Sequence, residues 1–289
     1  MTIINETGND DRSTQNQPID PVTTPTDHKL IALDVDGTIV DHDGHLHPEV
    51  LSAAQAVVAA GHQVVISTGR SIGAALPVAE VLGIDTGYIV CANGGMTVRL
   101  NPVFEDGYEV VNQRLFDPVP ALLAVRDVLP AAKYAVETAT GEFLSTERFQ
   151  DPSFGAPARA VPFDDLLISD AVRMVVFSVD DDAEDFGRAV ESIGLHGVTY
   201  SVGFTAWLDI AARGVTKASA LERLRSRLDI DRANTVAVGD GRNDIEMLGW
   251  AHRGVAMGQA PAEVKLAADE VTGTVEEHGL ATVLTSLVA

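Results

Sequence analysis

Aspartates gather in this sequence where short apolar runs end. Asp34-Val35-Asp36-Gly37-Thr38 follows Leu30-Ile31-Ala32-Leu33, Ser67-Thr68-Gly69-Arg70 follows the run at 63–66, and Gly239-Asp240-Gly241-Arg242-Asn243-Asp244 follows 235–238. These stretches offer the carboxylates of Asp34, Asp36, Asp240 and Asp244, together with hydroxyls and glycines that leave backbone N–H groups accessible. Clustered carboxylate oxygens suit a hard cation such as Mg²⁺. Backbone N–H groups and the Thr68 hydroxyl suit a phosphate. Lys217, at the start of an expected helix, adds a positive charge to the same mouth. A spacing of two between Asp34 and Asp36 aims both carboxylates one way if the chain there is extended.

These groups need a scaffold that brings strand ends together. The run 30–33 reads as a buried parallel strand. A helix is expected over 48–60, with Pro48 near its start and Gly61 after its end. A strand (63–66), a helix (71–82) and a strand (88–91) follow, and this alternation predicts a parallel sheet covered by helices. In such sheets ligands bind beyond the carboxyl ends of the strands. The alternation then breaks. A hairpin over 96–111 turns at Asp106-Gly107. Residues 113–201 read as an inserted α+β module: helix 119–129, strands 134–138 and 142–145, a Pro-rich loop, strand 172–179 and helix 183–193. After 207–210 the alternation returns with helix 217–228, strand 235–238, helix 243–250, strand 255–257 and helix 262–268. A final helix opens on a capping box, Thr274 to Glu277. The fold class is therefore α/β, a doubly wound parallel sheet with an inserted α+β cap. The expected division is a disordered tail at 1–27, a core at 28–112 and 202–289, and a cap at 113–201.

The composition narrows the partners. With 46% hydrophobic and 21% charged residues the chain is of globular type. It has no apolar stretch long enough to span a bilayer. Residues 1–27 lack the basic and apolar regions of a secretory signal. The single cysteine, Cys91, allows no intrachain disulfide, which fits a cytoplasmic setting. A formal charge of −22 repels nucleic-acid backbones and anionic lipids, so neither is an expected partner. It also repels phosphate esters, so a phosphate substrate needs a local cation or a few placed Lys and Arg.

At these residues the sequence resembles the haloacid dehalogenase-like superfamily. Its four motifs occur in family order: Asp34-Val35-Asp36-Gly37-Thr38, Thr68, Lys217, and Gly239-Asp240 with Asn243-Asp244. Thr68-Gly69-Arg70, Cys91-Ala92-Asn93-Gly94-Gly95 and Gly214-Val215-Thr216-Lys217 are similar to the Cof-type branch, whose large cap falls between the second and third motifs. The resemblance spans about 28–289. It implies that Asp34 attacks phosphorus to form an aspartyl-phosphate, and that Asp36 serves as general acid and then base. It implies Mg²⁺ held by Asp34, the Asp36 carbonyl and Asp240, with Asp244 helping through water. Thr68, Gly69, Lys217 and Asn243 would bind phosphate, and Lys217 would also keep Asp34 ionised. Asn243 would orient either Lys217 or the phosphate. The implied substrate is a small phosphorylated metabolite, such as a sugar phosphate or phosphorylated cofactor, taken by a monomer or homodimer. Having an acid at Asp36 separates this chain from the dehalogenases, which lack it.

Competing readings stand beside these. A phosphomutase or phosphotransferase would use the same core, and a non-catalytic ligand-binding protein would share the fold. Arg70 is read either as a core ion pair or as a substrate contact. Asp209 is read either as facing the site or as a loop contact. Asp41-His42-Asp43-Gly44-His45-Leu46-His47 has the residue types of a metal site but reads as a loop with no fixed partner. Cys91 reads as inert core, and Asp180-Asp181-Asp182 as a strand exit and helix cap.

Overall fold

The protein is seen in a computed structural model that describes residues 28–147, 152–178, 182–203 and 206–288. The tail at 1–27, the strand end at Val179 and the pair Asp180-Asp181 lie outside them. Strand β1 (Leu30–Leu33) is completely buried, as its unbroken apolar run requires of a central parallel strand. It is followed by α1 (Pro48–Ala59), β2 (Gln63–Ser67), α2 (Ile72–Leu82), β3 (Gly87–Cys91), β4 (Met96–Leu100) and β5 (Tyr108–Gln113). The later core elements are α5 (Lys217–Arg227), β12 (Thr235–Gly239), α6 (Ile245–Trp250), β13 (Arg253–Ala256), α7 (Ala262–Ala267), β14 (Glu270–Val271) and α8 (Gly279–Thr285). Among the described residues these strands form one sheet in the order β14-β13-β12-β1-β2-β3-β4-β5. It is parallel except for the hairpin β4–β5, which joins the β3 edge antiparallel. Apolar clusters pack on its two faces. Strands β1, β2 and β12 lie side by side, so the three motif-bearing ends meet at one edge.

The inserted module is a second sheet. Its elements are α3 (Val119–Val128), β6 (Lys133–Thr138), β7 (Phe143–Ser145), β8 (Arg159–Ala160), β9 (Ala171–Phe177), α4 (Ala183–Ile193), β10 (Val198–Val202) and β11 (Trp207–Ala212). The strands are ordered β10-β11-β9-β6-β7-β8 and are antiparallel except at β7–β8. Helices α3 and α4 share a separate apolar core with this sheet. The boundary expected at 201/202 is therefore corrected. Strand β11 pairs with β9 and β10, so the module runs through Ala212. Asp182 caps α4 as expected, accepting from the N–H groups of Glu184 and Asp185.

Two local expectations also change. The reciprocal bonds of Thr274 and Glu277 form, at 3.0 and 3.2 Å, but they close a turn. His278 takes a left-handed conformation (φ 57°), and α8 begins only at Gly279. The helix expected over 243–250 opens as a 3₁₀ turn, Arg242–Asp244, before α6. Among the described residues, no helix is long and apolar enough to cross a membrane.

Candidate active site

The first motif leaves the strand earlier than its spacing suggests. Strand β1 ends at Leu33, and Val35 O accepts from the N–H groups of Thr38, Ile39 and Val40, which folds 34–40 into a tight loop. Strand alternation therefore does not orient Asp36. Asp34 is buried, whereas the Asp36 side chain is 59% exposed and reaches outward to Arg70. Arg70 Nε and Nη2 donate to the two Asp36 carboxylate oxygens at 3.0 and 2.5 Å, a bidentate fork. Both aspartates nonetheless line one cleft of about 410 Å³. Arg70 thus forms an ion pair inside the cleft that it lines.

The deep part of the cleft is a charge cluster. Lys217 opens α5, whose start Thr216 fixes by exchanging hydrogen bonds with Ser219, and its side chain is fully buried. Its Nζ donates to Asp34 Oδ1 at 2.5 Å and to Asp244 Oδ1 at 2.7 Å. Asp244 Oδ2 accepts from the backbone N–H groups of Asp240 and Gly241 at 3.0 and 2.9 Å. Carboxylate oxygens of Asp34, Asp240 and Asp244 lie within 4.8 Å of one another. Burial raises the Asp34 carboxyl well above the usual carboxylate range; Asp244 adds to the shift and Lys217 opposes it. Burial, with Asp244 beside it, lifts Asp240 to about 6. Burial disfavours the Lys217 charge, but the Asp244 and Asp34 carboxylates outweigh it and raise its pKa.

Three buried carboxylates against one ammonium leave two uncompensated negative charges when all are ionised. An all-oxygen donor set with that excess is what a hard dication fits. Gly37 borders the same space. It has φ +79°, and a Cβ there would lie 2.3 Å from Asp240 Oδ2, so a side chain would displace the carboxylate.

The residues expected to bind phosphate also converge. Thr68 is buried, and its Oγ1 accepts from Arg70 N at 3.1 Å. Gly69 lies against the Asn93 side chain, 3.2 Å from where a Cβ would stand. Asn243 Nδ2 donates to Asn93 Oδ1 at 2.9 Å. Asn93 belongs to the 91–95 segment, where Ala92, Asn93 and Gly94 all take positive φ. Gly94 packs so closely that a Cβ would meet Thr216 O at 2.3 Å, tying this segment to the start of α5. Asp209 stands on β11 in the cap sheet and lines the cleft, its Oδ2 accepting from Trp207 Nε1 at 2.8 Å.

Sequence reasoning missed Gln259, Arg173 and Glu137. Gln259 Nε2 donates to Gly37 O at 2.6 Å and to Asp240 Oδ2 at 3.3 Å, tying the first motif to the last. Arg173 and Glu137 are buried charges inside apolar cap strands. A charge at a buried strand position was the available sign of both. The Asp41–His47 stretch separates into two exposed groups. Asp41 Oδ1 accepts from the Asp43 and His45 N–H groups, and His47 stacks on His278 with centroids 3.3 Å apart. Cys91 is buried, and burial pushes its thiol pKa up, which keeps it unreactive.

Residues 31–284 match the family model of the haloacid dehalogenase-like hydrolases. The chain belongs to that family. Its cap-bearing architecture is that of the Cof-type branch. It is 30% identical over 265 residues to YkrA of Bacillus subtilis (strain 168), covering 88% of this chain and 96% of YkrA. It is 28% identical over 288 residues to phosphatase YwpJ of the same strain, covering 88% and 97%. A solved structure of a B. subtilis haloacid dehalogenase-like hydrolase superposes with a TM-score of 0.74 at 26% identity, covering 89% of this chain and 98% of that one.

Proposed function

We propose that this hydrolase is a Mg²⁺-dependent phosphomonoesterase working through an aspartyl-phosphate on Asp34. The observation that carries the reading is Asp34 itself: a buried carboxylate at a strand end, bonded to a buried Lys217 and clustered with Asp240 and Asp244. The phosphatase name of its relative YwpJ supports the same reaction class. Asp34 and Asp240 would hold the cation with the Asp36 carbonyl, and Asp244 would help from behind. When bound, Mg²⁺ supplies charge that offsets the carboxylates and the incoming phosphate dianion.

Asp34 attacks phosphorus in line with the ester oxygen. The P–O bond to the leaving group breaks as the new bond to the Asp34 carboxylate forms. Asp36 passes a proton to the departing alkoxide. It then takes a proton from a water that attacks the aspartyl-phosphate, releasing inorganic phosphate and restoring Asp34. Lys217 and Thr68 hold the phosphoryl oxygens, and Arg70 sets where Asp36 can reach. A cleft of about 410 Å³ with Trp207 and Asp209 on its cap side suits a small polar substrate, such as a sugar phosphate or a phosphorylated cofactor. Cap movement over the core would admit and enclose it. The test is phosphate release from a panel of sugar, nucleotide and cofactor monophosphates in water, with Mg²⁺ and in excess chelator. Release that needs Mg²⁺ and no organic acceptor supports the reading. Full-rate release in chelator, or transfer only to an added acceptor, contradicts it.

A further inference from the structure

Arg173 occupies the middle of β9 with 2% of its side chain exposed. Its guanidinium carbon lies 5.3 Å from the centroids of both the Phe143 and the Phe154 rings. Glu137 is its register partner on β6, with Oε2 3.3 Å from Arg173 Nε. Asp209 Oδ1 is 3.5 Å from Nη1. Nη1 also donates to the backbone carbonyl oxygen of Gly69, in the core. Nε and Nη2 have no hydrogen-bond partner among the described residues. A buried, incompletely bonded cation on a sheet is poor for stability, and an apolar residue of like volume commonly costs less there. Stability alone does not account for Arg173.

Its contact does. Gly69 lies between Thr68, whose hydroxyl accepts from Arg70 N, and Arg70, whose fork holds Asp36. A cap arginine therefore grips the loop that sets the proposed acid–base group. We propose that Arg173 is a positioning residue of the hydrolysis: by holding the Gly69 carbonyl from the cap, it fixes the Thr68–Arg70 loop and, through Arg70, the reach of Asp36. The cap then supplies more than substrate choice, since its seating on the core completes the geometry for proton transfer. This inference rests on the phosphatase reading above.

The consequence is a dependence on the leaving group. An alkoxide needs the proton from Asp36, and nitrophenolate needs it far less. Arg173→Lys and Arg173→Met are assayed on an alkyl phosphate and on nitrophenyl phosphate, with Mg²⁺ saturating. Both variants are expected to lose at least about tenfold more kcat on the alkyl ester than on the nitrophenyl ester, a fraction of the ~10²–10⁴-fold reach of general acid–base help. In Arg173→Ala, added guanidinium ion at non-denaturing concentration should restore alkyl turnover selectively. Equal losses on both esters, or full activity on both in a folded variant, would overturn the proposal. If Arg173→Met does not fold, Arg173→Lys decides, because it keeps a charge beside Glu137 but lacks the fork. Wild-type protein that hydrolyses neither ester would instead remove the phosphatase reading, and the positioning role with it.

Discussion

Replacing Lys217 by Met removes the buried cation that holds Asp34 and Asp244 at 2.5 and 2.7 Å. The three carboxylates that remain lie within 4.8 Å of one another with no ammonium among them. Removing one partner of a buried ion pair costs about 3–5 kcal/mol. At roughly 2–4 °C per kcal/mol for a domain of this size, the metal-free melting temperature should fall by about 6–20 °C. The fall should depend on pH. Without Lys217, which opposes the rise of both Asp34 and Asp240, those two carboxyls are raised further, and a group whose folded pKa is raised gives its stability below its unfolded pKa and loses it as pH rises. The deficit should therefore be smallest near pH 5 and grow toward pH 8. Mg²⁺ should act in the opposite sense. A dication and an ammonium about 5 Å apart repel by about 7 kcal/mol at an effective dielectric of 20, so even with most of that screened, removing the ammonium should tighten Mg²⁺ binding at least tenfold, or about 1.4 kcal/mol. Scanning calorimetry with and without Mg²⁺ measures both effects. The variant should be inactive yet gain more from Mg²⁺ than wild type. A smaller Mg²⁺ gain in the variant would refute the view that Lys217 and a metal ion share one carboxylate cluster.

Other outcomes follow from the same geometry. Asp36→Asn should lose about 10²–10⁴-fold on alkyl phosphates while keeping much of its activity on nitrophenyl phosphate; equal losses on both would remove Asp36 as the acid. Gly37→Ala forces a Cβ against Asp240 Oδ2 at a positive φ, so it should lose about 1–3 kcal/mol of stability and need more Mg²⁺ for half-maximal activity. An unchanged Mg²⁺ requirement would place the cation elsewhere. Burial raises Glu137 from 4.5 to about 7 despite Arg173 beside it, with Asp209 adding to the shift. Its stabilisation is therefore greatest below pH 4.5 and declines up to about pH 7. Glu137→Gln cannot titrate, so its melting temperature should gain on wild type between pH 5 and 8; parallel curves would contradict this.

The core and its motifs were legible because each is a contiguous string at the end of an apolar run, and parallel pairing of β1, β2 and β12 brings the strings together. The cap boundary was not. Trp207-Leu208-Asp209-Ile210 reads alike in a parallel core strand and in an antiparallel cap strand, since the pattern records burial and not the partner. Asp34 and Asp36 line one cleft as the spacing suggested, but for another reason, because the strand stops at Leu33 and the loop decides the direction of Asp36. Arg173 was hidden for another reason. Its core partner is a backbone carbonyl at Gly69, which carries no side-chain sign, and Glu137 is a lone charge 36 residues away. Gln259 holds Asp240 from outside every motif, through one side-chain amide. The Thr274–Glu277 box was read correctly as a pair of hydrogen bonds and wrongly as a helix start, since His278 turns left-handed before α8.

The central claim is that Asp34 becomes covalently phosphorylated. Rapid-quench trapping with a phosphate-labelled ester and Mg²⁺, under single-turnover conditions, tests it most directly. Wild-type protein should yield acid-stable labelled enzyme whose label maps to Asp34, Asp34→Asn should yield none, and Asp36→Asn should hold the label longer with an activated ester because no base draws the proton from water. Label in Asp34→Asn, or none in wild type while phosphate is released, would contradict the account and point to direct attack by water.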